Sequence, residues 1–195
     1  MHGLINRALQ SFAVSTYGPA RWQRAVEAAG FDSAEFEAML VYDDAPSLRL
    51  LDALCHETGR GADEFLEDLG TYLVSHPDTE ALRRLLRFGG VGYVDFLHSL
   101  DDLPDRVRLA VSDLHLPALE LHDHRDGRFS LVCHPGLPGY GSVMTGVLRA
   151  MADDYGALAT LDFEPAGDGG GVIAMTLVET AFAAGRSFDL GARTG

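Results

Sequence analysis

The chain has 195 residues, with 15 Lys plus Arg against 29 Asp plus Glu, a formal net charge of -14 and 2 cysteines. That length suits one domain with a sizeable core, and the acidic balance repels phosphate backbones and anionic lipid head groups, which argues against nucleic acid and membrane surfaces as partners. No apolar run approaches the ~18–20 residues of a membrane span and the N-terminus lacks the basic-then-apolar layout of a leader, so a cytoplasmic setting is expected, with Cys55 and Cys133 as reduced thiols.

Leu4, Ile5, Leu9, Phe12 and Ala13 recur at helical spacing, as do Leu50, Leu51, Leu54 and Cys55, and then Phe65, Leu66, Leu69, Tyr72 and Leu73. Gly18-Pro19, Gly30, Ala45-Pro46, Gly59 to Gly61 and His76-Pro77 punctuate these runs, predicting a helical first part. After Pro117 the pattern becomes alternating. Leu119 to His124 and Phe129 to Cys133 bracket Asp126-Gly127, the signature of a hairpin. A two-residue turn there would place Glu120, His122 and His124 on the strand face opposite Cys133, Leu131 and Phe129. A helix from about Gly141 to Tyr155 follows, with Val143, Val147, Ala150 and Met151 on its apolar side. A second hairpin, Ala159 to Phe163 and Val172 to Leu177 around Asp168-Gly169, comes next, and the Ala- and Gly-rich stretch from Glu179 to Gly195 is predicted to fray. Helices, hairpin, helix, hairpin is an α+β order.

The opening segment runs from Met1-His2-Gly3-Leu4-Ile5-Asn6 through Ser15-Thr16-Tyr17-Gly18 to Trp22 and Ala28-Ala29-Gly30-Phe31. Leu69-Gly70-Thr71-Tyr72, Asp95-Phe96-Leu97, Ser99-Leu100-Asp101-Asp102-Leu103, Leu116-Pro117 and Gly146-Val147-Leu148 succeed it in order. This succession resembles the haem nitric oxide/oxygen binding (H-NOX) family, which includes the sensor domain of soluble guanylate cyclase. The resemblance implies an H-NOX-like domain over residues 1–182, with a distal helical part at 1–60, the remaining helices and a small antiparallel sheet at 61–182, and a tail at 183–195. It also implies a non-enzymatic signalling role, like that of bacterial members that modulate diguanylate cyclases or histidine kinases in response to nitric oxide.

In the family a haem is held by one histidine on the long helix before the first hairpin. Here that helix carries Val94, Leu97, Leu100 and Val107 on its apolar face, and Asp101-Asp102-Leu103 matches the family's Asp-x-Leu-His until Pro104 replaces the histidine. A proline ring offers iron no lone pair and the helix no N–H. A break near Asp102 is expected, with Asp101 or Asp102 as a new N-cap and Pro104 in the first turn. The family's propionate clamp, Tyr-x-Ser-x-Arg, falls on Cys133, Pro135 and Leu137 when aligned from Gly139 and Gly146, and none of these can serve. Tyr140-Gly141-Ser142 lies too close to Gly146 to replace it, and Met144 stands where the arginine would be. Ile5 and Pro117 match pocket residues that pack on the haem, but the plainer reading, a core-facing helix residue and a strand-opening proline, is the stronger one. The family pocket positions are therefore Ile5, Pro104, Pro117 and Cys133.

His98 is a substitute ligand only if the helix distorts, because its spacing turns it about 120° from position 104. His56 and His76 lack partners at metal spacing, while Glu120, His122, His124 and Cys133 could bind zinc if one hairpin face gathered them. No nucleophile elbow, phosphate-binding glycine loop or metalloprotease helix is present, Gly167 to Gly171 reads as a turn, and Asp43-Asp44 and Asp153-Asp154 read as solvated ends. The leading expectation is a signalling domain without haem, or with unfamiliar haem ligation, whose pocket could take a small apolar molecule. Its rivals are a haem-based nitric oxide sensor with an unexpected axial ligand and a small zinc enzyme.

Overall fold

The computed structural model describes residues 1–188, and the chain divides into two compact units, Met1–Leu69 and Gly70–Gly195. No helix among the described residues is long and apolar enough to cross a membrane.

The first unit is helical. It holds α1 (Gly3–Tyr17), α2 (Pro19–Ala29), α3 (Asp44–Thr58) and the opening turns of α4 (Ala62–Ser75). His2 caps α1 by accepting the Leu4 N–H at its Nδ1, 3.2 Å. Gly18 at φ 90° then turns the chain, and Pro19 opens α2, where a missing N–H costs nothing. The faces foreseen from the apolar spacing are the buried ones: Leu9, Phe12 and Ala13 on α1, Leu50 and Leu54 on α3, Phe65, Leu66 and Leu69 on α4. Phe12 and Phe65 meet edge-to-face at 5.1 Å, and Asn6 of α1 donates to Ser47 Oγ of α3 at 3.1 Å, so a buried amide is partly satisfied across the helix pair.

The second unit is α+β. After the end of α4 come α5 (Glu80–Arg87), α6 (Tyr93–His98), α7 (Leu103–Ala110), β1 (Leu119–Asp123), β2 (Arg128–Cys133), α8 (Tyr140–Tyr155), β3 (Leu158–Pro165) and β4 (Gly171–Glu179). The sheet runs β1-β2-β4-β3 with every pairing antiparallel, so the two hairpins join through β2 and β4. Leu131 and Ile173, paired across that join, are fully buried in one core with Phe96, Leu97 and Leu100 of the α6 region and Leu148 and Met151 of α8. Cys133 belongs to this same core.

Several features differ from the sequence expectations, first among them Asp154, read as part of a solvated end but 1% exposed near the end of α8. The first hairpin turns through Arg125, Asp126 and Gly127, all at positive φ, with His124 N–H donating to Arg128 O at 2.9 Å. Glu120 therefore pairs with Val132 and His122 with Ser130, a register one residue away from that of a two-residue turn. Such a slip transfers a whole set of side chains to the other face of the sheet. Finally, residues 183–188 of the foreseen tail are ordered against the end of α8 by backbone hydrogen bonds; residues 189–195 lie outside the described residues.

Candidate functional site

Position 104 lies at a built joint. α6 stops at His98, Ser99 is its C-cap, and α7 restarts at Leu103 with Pro104 in its first turn, where an N–H would have no intrahelical acceptor. The foreseen break is present, but its capping chemistry differs. Asp102 is the N-cap residue and its side chain makes no capping bond. Asp101 instead accepts the Leu121 N–H of edge strand β1 at 2.7 Å, and Arg106 Nη2 donates back across the joint to Ser99 O at 2.9 Å and Ser99 Oγ at 3.1 Å. Burial holds the Arg106 guanidinium below its ordinary pKa, with Asp102 working in the opposite direction. Leu97, Leu100, Leu103 and Val107 remain buried around the joint, while Pro104 is half-buried.

Cys133 ends β2 opposite Leu119 and is buried on the core face. Burial pushes its thiol up to about 12, so it is neutral at physiological pH. The loop beyond it passes Pro135, which is exposed, and Leu137, which is half-buried. Gly136 in that loop, at φ 147°, has the buried Pro117 for a neighbour: a Cβ there would meet Pro117 Cγ at 3.5 Å. Pro117 and Cys133 thus flank the approach to α8, whereas Ile5 lies half-buried on α1 in the first unit. At the start of α8 the Tyr140 hydroxyl is buried and has no hydrogen-bond partner among the described residues. Its pKa is driven up by burial and secondarily by Cys133. The sequence reading placed Tyr140 outside the clamp but did not foresee a buried hydroxyl here; an aromatic residue just inside a helix start gives no sign of its orphaned oxygen.

The histidines are elsewhere. His98 is exposed on α6, with Nε2 3.7 Å from Asp123 Oδ2 and its ring edge-on to Phe129. His122 and His134 both approach the Glu120 carboxylate, at 3.3 and 3.6 Å, on the exposed face of the sheet, and His124 bonds the Ser130 hydroxyl. Cys133 points to the opposite face, so the hairpin set Glu120, His122, His124 and Cys133 is not brought together. Among the described residues no three His, Cys, Asp or Glu side chains are arranged to hold a metal ion. The part played by His134 escaped the sequence reading because it depends on the register.

The haem-NO-binding family model matches residues 2–161. Among curated proteins, the chain is similar to Soluble guanylate cyclase 89Db of Drosophila melanogaster, 20% identical over 155 residues that cover 80% of this chain and 23% of that protein. It is also similar to Soluble guanylate cyclase gcy-35 of Caenorhabditis elegans, 26% identical over 155 residues, 78% of this chain and 22% of that one. The chain thus spans less than a quarter of the length of these relatives. Among solved structures, the Fe(II) unliganded H-NOX protein from K. algicida superposes with a TM-score of 0.80 at 15% identity, covering 94% of this chain and 100% of the other. The H-NOX protein from S. oneidensis in the Fe(II)NO ligation state gives 0.73 at 13% identity, covering 91% and 99%. With the family match over most of the length and the same fold, this chain belongs to the haem-NO-binding (H-NOX) family of sensor domains.

Proposed function

We propose that this chain is a haem-independent member of its family, a non-catalytic signalling domain that regulates a protein partner through its conformation. The observation that carries the proposal is Pro104 in the first turn of α7, the position that the resemblance assigns to the family's iron ligand. The rest of the donor set does not fit a haem either. The clamp positions are a buried neutral thiol, a proline and a leucine, which supply neither hydroxyl nor guanidinium to two anionic propionates. His98, the histidine nearest in sequence, is exposed beside Asp123. A small apolar molecule remains the ligand class in keeping with the Leu- and Met-rich core near Cys133, and Tyr140 has a free hydroxyl to offer one acceptor atom.

The partner, by analogy with bacterial members of the family, is a signalling enzyme such as a diguanylate cyclase or histidine kinase, and α7 is the surface we assign to it. Asp101 and Arg106 are committed to internal bonds, which leaves Asp105 and Arg108, an exposed pair at 3.1 Å, and Leu109, 90% exposed, on the outer side of that helix. A binding titration against the signalling enzyme encoded beside this chain tests the assignment. Asp105→Lys and Arg108→Glu should each weaken binding about tenfold, since like charges set against a complementary rim repel. Unchanged affinity in both variants would remove α7 from the interface.

A further inference from the structure

The C-terminal segment of the described chain crosses a buried ionic cluster that the family pocket does not use. Asp154, near the end of α8, is 1% exposed, and Arg83 of α5 is 5% exposed with its Nε 2.8 Å from Asp154 Oδ1. Arg87, one turn along α5, approaches Asp154 Oδ2 at 3.4 Å and lies over the Tyr155 ring at 4.0 Å. Arg83 and Arg87 therefore share one buried carboxylate, to which Arg186 adds a longer ion pair at 3.8 Å, and Glu80 stands at the rim 3.2 Å from Arg83. The remaining satisfaction comes from residues 183–188. Ser187 O accepts from Arg83 Nη2 at 3.2 Å, and the Phe188 ring stands 5.0 Å from the Arg87 guanidinium carbon and 5.8 Å from that of Arg83.

Backbone bonds fix the crossing. Ala183 N–H donates to Gly156 O at 3.0 Å and Arg186 N–H to Asp154 O at 2.9 Å. The approach is close enough to demand glycine on both sides: a Cβ at Gly156 would sit 2.2 Å from Ala183 O, and one at Gly185 would sit 2.8 Å from Asp154 O. Yet residues 181–187 are all exposed and Phe188 is half-buried, so the segment buries little apolar surface beyond that one ring. Its hold rests on a few hydrogen bonds, the 3.8 Å Arg186–Asp154 ion pair and guanidinium–ring contacts, the makings of a low local opening free energy. Among the described residues the cluster beneath is itself incompletely paired, since Arg87 Nε has no hydrogen-bond partner there and Asp154 Oδ2 has the 3.4 Å ion pair without a hydrogen bond. A half-satisfied buried network gains when water reaches it, which lowers the cost of opening further.

We propose that residues 183–188 form a reversible strap that closes over the Arg83–Asp154–Arg87 cluster and, when closed, locks α5 to the C-terminal end of α8. Opening wets the ion pairs, weakens them, and frees α5 from α8, so the C-terminal end of the domain and the position of α5 are coupled through one carboxylate. The strap stands apart from the haem-free reading and survives if that reading fails.

Hydrogen exchange resolved by residue, on the full chain, is the test. The Ala183 and Arg186 amides should exchange more slowly than the Arg125–Gly127 turn and faster than the Ile173 and Met175 amides of β4, because they open locally. Phe188→Ala and Gly185→Val act on the strap side and leave the cluster residues in place. Each should speed exchange at 183 and 186 by about tenfold and also speed exchange in α5, with β4 unchanged. Strap amides as fast as the turn in the unsubstituted chain would overturn the proposal. So would amides that exchange only at the β4 rate, or variants that leave α5 exchange unaltered.

Discussion

The carboxylate of Asp101, in the joint between α6 and α7, accepts the Leu121 amide of β1 at 2.7 Å, and this one bond ties the interrupted helix to the edge of the sheet. An edge strand has unpaired N–H groups to spare, and a helix interrupted by proline has a loop that can reach one. Removing the carboxylate with Asp101→Ala should cost about 1 kcal/mol of unfolding free energy, the net worth of a partly exposed hydrogen bond. Urea unfolding checks it, and a loss within error of zero would show that the joint is held by its leucines alone.

Arg106 and Ser99 close the other side of the joint. Ser99→Ala removes one of the two bonds and should cost about 0.5–1 kcal/mol, while Arg106→Ala removes both and exposes Ser99 O, costing about 1–2 kcal/mol. In a double-mutant cycle the two changes should couple, with the double variant less destabilised than the sum of the singles. Strict additivity would place the two side chains in independent roles.

Cys133 gives a pH dependence with a definite sign. Its folded pKa is raised to about 12 by burial, so between the ordinary thiol value near ~8.5 and 12 the unfolded chain loses a proton that the folded chain keeps. Stability from this group is complete below the unfolded pKa and drains as pH rises toward the folded one. Denaturation midpoints should therefore fall from about pH 9 upward, and Cys133→Val should flatten the slope in the first unit of that window, before buried tyrosines contribute. An identical slope in the variant would assign the alkaline loss to other groups.

The exposed trio Glu120, His122 and His134 should not retain zinc through gel filtration, since no three such side chains are arranged to hold a metal ion among the described residues and Cys133 faces the other way. Elemental analysis of the purified chain measures this. One zinc per chain, lost on His122→Ala, would revive a metal role for the hairpin.

What the sequence disclosed was whatever local chemistry decides. The apolar spacing of Leu9, Phe12, Leu50, Leu54 and Phe65 marked the buried faces of α1, α3 and α4, and Pro104 marked the helix break, because a missing N–H acts where it stands. What it concealed was whatever distant partners decide. Asp126-Gly127 suggests a two-residue turn equally well, and one extra residue in the turn moved Cys133 to the face opposite Glu120 and His122. The strap was invisible for a related reason: an Ala- and Gly-rich segment carries no periodicity, yet Gly156 and Gly185 are small because two backbones meet there.

Pro104→His should not by itself make the domain a firm haem binder. The substitution would place a ligand atom on α7, but Cys133, Pro135 and Leu137, at the positions the resemblance assigns to the clamp, offer anionic propionates neither hydroxyl nor guanidinium. Haem loss to an apomyoglobin scavenger measures this. Loss as slow as that from a family member with both motifs would show the clamp to be dispensable.

The most direct test of haem independence is the visible absorption spectrum of the unsubstituted chain purified after expression with haem supplied. The account predicts no Soret band approaching one equivalent per chain, with the fold intact by circular dichroism. A Soret band at one equivalent that survives gel filtration would contradict it and make the protein a haem sensor with an axial ligand outside position 104.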